Sequence, residues 1–565
     1  MLKPGDGNSE RLKQAVRLHQ AGRLEEAEAI YQALLQEEPD QAEILNVSGA
    51  LACQRKDFAG AIRRISQAMA LAPQAPDYVC NLAKVYYQQG QLEQAIDSFL
   101  AVLDLAPQHR EARRNLAALY QARGENQLAL AQYQALVAID PQDASACNNL
   151  GNLLLERGEP ESAAAYYLQA LQAQPEHLNA RNNLGKIRLL QGRLPEALAA
   201  FEQVLKLRPD HLQALFQAGI SLQSMNRYPE ALVYYVRAEQ LEPGNAKIQL
   251  NLAVSLFTLG RDAEALHHCR AALRLEPDNP DIHSNLGLIQ ERQGRISEAL
   301  ASYHRALELQ PDDARIHNNQ GNAYRAQGKL EQALAAYRRA LALRPDYPIA
   351  HRNLLLTLNY LPHLTADEIF AEHRAWGQQT ERYYLPASGH ANLPDSGRCL
   401  RVGYVSSVFR HHAVAFFVEP VLTAHDRQQV EVFCYADLIA PDAVTRRLQA
   451  HADHWREIQT LDTRAVAALI RQDRIDILVD LDGHTAHNRL EVFALKPAPV
   501  QVSYVGYPNT TGLGTMDYRI TDAWADPVGQ NDEFYTEQLL RLPRNFSCYA
   551  PPAESPEVAA LPALT

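Results

Sequence analysis

His411 and His412 stand side by side in Ser406-Ser407-Val408-Phe409-Arg410-His411-His412, a polar turn directly behind the short apolar run Arg401–Val405. Imidazole exchanges a proton near neutral pH, so the pair is the chain's first candidate for a titrating base. Two more polar patches follow apolar runs in the same way: Asp480-Leu481-Asp482-Gly483-His484-Thr485 and Gly506-Tyr507-Pro508-Asn509-Thr510-Thr511-Gly512. Ligands of open α/β sheets sit beyond the carboxyl ends of the strands, so all three patches are expected along one edge. Singly each is a weak signal, because D-G and P-N pairs are ordinary turn punctuation. Taken alone, a histidine pair in a loop is more often surface decoration than catalytic. Asp480 and Asp482 could orient a histidine or hydrogen-bond a helix N-terminus.

The elements that must carry these patches alternate. Apolar runs at Arg401–Val405, Val430–Tyr435, Ile475–Leu481, Val500–Val505 and Tyr518–Thr521 read as strands. Helical stretches lie near Ala413–Ala424, Asp442–Ala452, Thr463–Gln472 and Arg489–Leu495. That alternation predicts a mostly parallel sheet flanked by helices, a Rossmann-like lobe. No G-x-G-x-x-G follows the first run, so no dinucleotide cofactor is indicated. The seven cysteines are scattered and never spaced C-x-x-C, which points to neither a zinc site nor a disulfide framework.

Ahead of this lobe the chain repeats. Prolines stand at 39, 73, 107, 141, 175, 209, 243, 277, 311 and 345, a constant interval of 34. In the same register alanine fills 27, 61, 95, 129, 163, 197, 231, 265, 299 and 333, and four residues on comes a larger side chain such as Tyr31, Phe99 or Tyr303. Glycine falls five before the alanine in eight of the ten units, with Lys56 and Asn226 as the exceptions. Two helices joined by a tight turn need this set: a small residue where they cross, a large one to fill the groove, and a proline after the second helix. The period is that of tetratricopeptide repeats, which stack into an α-solenoid whose first helices line a concave face.

On those first helices Asn81, Asn115, Asn149, Asn183, Asn251, Asn285, Asn319 and Asn353 recur, interrupted only by Val47 and Gln217. A ladder of carboxamides could pair with the main chain of an extended peptide. It could equally serve helix packing.

The repeat period stops after Pro345, because Gln379 stands where the next proline would fall. The expected domains are an array over 1–360 closed by a lone helix, a docking helix and linker over 361–398, and the lobe over 399–565. The docking helix is expected over Thr365–Tyr384, opened by a Thr365/Glu368 capping box and interrupted or frayed near Gly377. A net charge of −12, from 66 acidic against 54 basic residues, argues against nucleic acid as a partner. No apolar run of membrane-spanning length and no apolar leader segment occurs, so a cytoplasmic chain is expected, with no membrane partner.

R-V-G-Y-V-S-S-x-F, E-V-F-C-Y, D-I-L-V-D-L-D-G-H-T, N-R-L-E-V-F-A-L-K-P-A-P-V-Q and G-Y-P-x-T-T-G occur in this order behind the repeats. In this the chain resembles the protein O-linked N-acetylglucosamine transferases. The resemblance implies the first half of a GT-B fold and inverting transfer of N-acetylglucosamine from UDP-GlcNAc to serine or threonine hydroxyls. It implies no metal and no bound cofactor, with acceptor proteins or peptides held along the asparagine ladder. A homodimer through the array is compatible with it.

On the family's pattern His412 takes the catalytic-site position and His484 a second one, where some members carry tyrosine, so that it reads as an acceptor-site or structural group more than an obligatory base; Asp482, Tyr507, Thr510 and Thr511 line the cleft. Ala413 replaces the family's frequent proline, and His411 a position where asparagine is expected. The family places its nucleotide-sugar groups in a second lobe of about 200 residues. The sequence ends at Thr565 without one, so little transferase activity is expected of residues 1–565 alone. Two other readings fit the same residues: a peptide-binding scaffold with a vestigial lobe, and an O-fucosyltransferase of the same family.

Overall fold

The computed structural model describes residues 7–386, 389–393, 395, 397–438 and 440–551. The chain terminus at 561–565 lies outside the described residues, as do parts of the proline- and glycine-rich stretch 385–398. Packing divides the chain into two compact units, Met1–His268 and Cys269–Thr565. Among the described residues no helix is long and apolar enough to cross a membrane.

The first unit is built from antiparallel helix pairs at the 34-residue period, for example Ala144–Glu156 with Pro160–Ala173 and Leu178–Leu190 with Leu194–Leu207. The register alanines and the larger residues four positions on are fully buried, from Ala27 and Tyr31 to Ala231 and Tyr235. Each such aromatic contributes about 1.5–3 kcal/mol by leaving water. A second small residue, not singled out by the sequence pattern, makes room for it. A Cβ on Gly151, Gly185 or Gly219 of the first helix would stand 2.4–2.7 Å from a ring atom of Tyr167, Phe201 or Tyr235.

The turn glycines take left-handed backbone, and the exceptions Lys56 and Asn226 take it too, at φ 63° and 59°. Three first helices are capped by a histidine. Nδ1 of His109, His177 and His211 accepts the backbone N–H of Ala112, Ala180 and Ala214 at 3.1–3.2 Å.

The second unit opens with the pairs Pro280–Arg292/Ile296–Leu309 and Ala314–Ala326/Leu330–Leu343. Helices α1 (Pro348–Leu358) and α2 (Ala366–Tyr383) follow. The Thr365/Glu368 capping box forms as expected. The expected break near Gly377 does not. The helix runs straight through, and Gly377 is needed for a close approach: a Cβ there would lie 1.8 Å from the carbonyl oxygen of Gly512.

The lobe is one parallel sheet. Its strands are β1 (Leu400–Ser406), β2 (Val430–Ala436), β3 (His454–Glu457), β4 (Ile477–Asp480), β5 (Val500–Ser503), β6 (Tyr518–Asp522) and β7 (Gln538–Leu542), in the order β3-β2-β1-β4-β5-β6-β7. Strands β3 and β7 were not expected from the sequence. They are the two edges, where less apolar surface is required. Helices α3 (Ala415–Ala424) and α4 (Ala443–Ala450) cover one face through Val418, Leu422, Val444 and Leu448. Helices α5 (Thr463–Gln472) and α6 (Leu490–Ala494), with α1 and α2, cover the other through Val466, Phe493, Leu358 and Trp376.

Candidate functional site

The strand order turns back on itself at β1 and β4. From β1 the chain proceeds outward to β2 and β3, and from β4 outward the other way, so the loops after β1 and β4 diverge and leave a crevice. Asp482 ties its two walls together. One carboxylate oxygen accepts the Ser406 hydroxyl and the other the Ser407 backbone N–H, both at 2.7 Å. Asp480 closes the turn below it, accepting N–H groups from Asp482 and Gly483. Both carboxyls are buried and burial pushes them up, to about 7 for Asp480 and about 6 for Asp482.

A cavity of about 490 Å³ opens at this crevice, lined among others by Ser407, Arg410, His412, Asp437, Thr485 and Arg489. Desolvation, aided by the Arg410 charge, lowers the His412 pKa and favours the neutral ring. Its Nδ1 accepts the Val414 backbone N–H at 3.3 Å, so in this arrangement the neutral ring carries its proton on Nε2, which donates. His411 parts from its neighbour. Its backbone N–H bonds Asp442 and its ring meets Phe416 edge-on. Arg489 is anchored by Asp437 at 2.8 Å and by the carbonyls of Leu461 and Ile458, so it presents a fixed cation to the cavity. His487, also on the wall, holds a left-handed backbone at φ 61°, a strained conformation of the kind that clusters at working sites.

The other residues expected at the site lie elsewhere. His484 is only 1% exposed and does not line the cavity. Its Nε2 bonds the Thr511 carbonyl at 2.8 Å, and its ring is boxed by Trp376, His373 and Tyr507. Burial holds it well below the usual histidine range, as it holds His373 at about 4. Tyr507 is buried too. Its hydroxyl meets His373 Nε2 and Asn359 Nδ2, each at 2.8 Å, so it joins the lobe to α1 and α2 rather than lining the cleft.

Thr510 and Thr511 are fully buried against Glu537, which accepts both hydroxyls and the Thr511 N–H. Nothing in the sequence marks Glu537, because its role exists only once β7 lies beside the loop. Arg410 and Arg489 lay inside the stretches quoted above and could have been read as the cavity's cations. Among the described residues no group of three His, Cys, Asp or Glu is placed to hold a metal.

All eight ladder asparagines are half-buried. In the first unit, Asn81 and Asn183 donate to Asn46 and Asn148 of the preceding repeats, at 3.0 and 3.3 Å. Asn149 donates to the Tyr133 hydroxyl, while Asn115 and Asn251 donate to carbonyls of their own helices. In the second unit, Asn353 reaches Asn318, Asn285 bonds its own helix, and Asn319 accepts from Asn318.

Comparison with known proteins agrees with this architecture. Residues 380–549 match the model of glycosyl transferase family 41, and residues 12–76, 80–144, 148–211 and 284–348 match a tetratricopeptide repeat model. A probable UDP-N-acetylglucosamine–peptide N-acetylglucosaminyltransferase SPINDLY of Petunia hybrida is 41% identical over 220 residues, 38% of this chain and 24% of that protein. A UDP-N-acetylglucosamine–peptide N-acetylglucosaminyltransferase of Caenorhabditis elegans is 42% identical over 154 residues, 27% of this chain and 13% of that protein. The solved structure of a mutant O-GlcNAc transferase of Thermobaculum terrenum superposes with a TM-score of 0.52 at 38% identity, covering 56% of this chain and 60% of that one. The matched stretch thus spans about a quarter or less of the curated relatives' length.

Proposed function

We propose that a tetratricopeptide array and a family 41 lobe act here as the acceptor-handling half of a protein O-linked N-acetylglucosaminyltransferase in the cytoplasm. UDP-GlcNAc would be the donor, no metal would be used, and acceptor polypeptides would lie along the first-helix asparagines. The observation that carries this reading is the cavity at the β1/β4 crevice, with a neutral-favouring imidazole beside two arginines, inside the segment that matches the glycosyltransferase model.

Transfer to a hydroxyl needs the nucleophile held in line, a place for its proton, and charge to meet the departing diphosphate. His412 steers the hydroxyl through its Nε2–H, and takes the proton only in the tautomer that leaves Nε2 bare and releases Nδ1 from the Val414 N–H. Arg489, fixed by Asp437, and Arg410 supply positive potential along one wall. His484 and Tyr507 support from behind, holding the loops against α2. His412→Ala in the complete protein should lower kcat by roughly 10²- to 10⁴-fold with little change in peptide KM. Unchanged turnover with an intact fold would remove His412 from the reaction.

The ladder's own hydrogen bonds also suit a packing role, since most of its carboxamides spend one of their two N–H groups inside the array. Replacing Asn251, Asn285 and Asn319 together by alanine separates the two roles. Loss of long-polypeptide binding at unchanged melting temperature supports the acceptor role, and a lowered melting temperature alone supports packing. Self-association through the array belongs to the same proposal. Val233 and Val236, 60% and 42% exposed on one second helix, are the apolar surface it would cover. Sedimentation of Val233→Glu/Val236→Glu against the parent checks it.

A further inference from the structure

A second cavity, of about 390 Å³, opens over the carboxyl ends of β2 and β3 between α4 and the turn after β3. It neighbours the first, since Gln459 lines both. Its floor is the half-buried indole of Trp455, backed by the buried ring of Phe409 at 5.4 Å between centroids. Around that plate stand Arg446, Gln449, Glu457, Gln459 and Thr460. None of these five side chains has a hydrogen-bond or ion-pair partner among the described residues. Arg446 and Gln449 are three apart on one face of α4, and Glu457 shares the Trp455 face of β3, so the groups converge.

We propose that this cavity is a subsite for an uncharged sugar ring. A pyranose presents an apolar C–H face and a rim of hydroxyls that both donate and accept. A supported indole matches the face, and two carboxamides, a hydroxyl, a guanidinium and a carboxylate match the rim. The charges separate this cavity from its neighbour. Arg446 and Glu457 balance here, which favours a neutral ligand, whereas Arg410 and Arg489 against Asp437 leave the first cavity net positive.

The inference rests on reading the lobe as part of a sugar transferase, and it adds to that reading that the acceptor already bears a sugar. With the acceptor hydroxyl at His412, a sugar on the same polypeptide would fall into the adjoining cavity.

The test is saturation-transfer NMR on the 1–565 chain with methyl β-N-acetylglucosaminide and, separately, inorganic phosphate. Binding is expected in the millimolar range, with the strongest saturation on the axial hydrogens of one ring face. Arg446→Ala/Gln449→Ala, both exposed and away from the core, should weaken it at least about tenfold. Trp455→Phe should weaken it at unchanged melting temperature, and His412→Ala should leave it intact.

No sugar binding overturns the proposal. So does phosphate competing for the same site, equal affinity in the double variant, or loss of binding in His412→Ala alone. Because the readout is binding, the two readings fail separately. Sugar binding without turnover by the complete protein sinks only the transferase reading, and turnover without sugar binding sinks only the subsite.

Discussion

An imidazole that takes a proton from a hydroxyl must be neutral when the hydroxyl arrives, and His412 is set for that by partial burial and the Arg410 charge. Its NMR titration midpoint is expected below 6.5, and Arg410→Gln should move it upward. A midpoint at or above the free-histidine value would contradict the electrostatics. Asp482 makes a sharper demand, since both carboxylate oxygens accept at 2.7 Å from groups on the opposite wall. Asp482→Asn turns one acceptor into an N–H donor, so it should cost roughly 1–3 kcal/mol and speed hydrogen exchange at Ser407 and Val408. The position of His412 on the cavity wall was legible in the sequence because a motif and a strand end coincide there. The same logic also put His484 at the edge, whereas it is buried behind the cavity, as its structural reading would have it. Sequence places a loop at the sheet edge but does not tell which side chain turns outward, and Trp376 and Tyr507, which decide it, come from more distant stretches.

Among the elements, the repeat helices are where small polar changes should be measurable. A histidine N-cap works only while Nδ1 is unprotonated. Burial lowers the pKa of His177 and His211 in the folded state. Their contribution is therefore fully present above about pH 6.5, and it declines as pH falls from there through the lower folded values. His177→Asp/His211→Asp, matching the caps at Asp143 and Asp313, should flatten the loss of urea midpoint between about pH 7.5 and 5.5. A slope as steep as the parent's would mean the caps are inert. Lys56 spends free energy on left-handed backbone that glycine adopts freely, so Lys56→Gly should stabilise by about 1 kcal/mol, with a smaller gain at Asn226. The repeat helices could be read from sequence because alanine and proline keep step over ten units, with an aromatic in eight of them. His454–Glu457 could not be read as a strand, having neither alternation nor a long apolar run, and it becomes one only by pairing with Phe433–Ala436.

For the second unit as a whole, the contact that matters most is made by two residues without side chains. Gly377 on α2 and Gly512 on the loop after β5 bring backbone against backbone. Gly377→Ala should therefore cost about 3 kcal/mol or more. Limited proteolysis should then open the loop around residues 507–512 before the sheet itself. Sequence suggested the opposite, a weak point in the helix, because the reason for that glycine lies on a partner 135 residues away in the chain.

The strict 34-residue spacing has a consequence of another kind. Where every helix pair is built on one register of alanine, larger side chain and small residue, one whole unit can be excised or duplicated and the flanking pairs will find equivalent surfaces. Recombination between misaligned copies in the gene would deliver such changes ready-made. Kin of this chain should thus differ in array length by multiples of 34, and seldom by any other number.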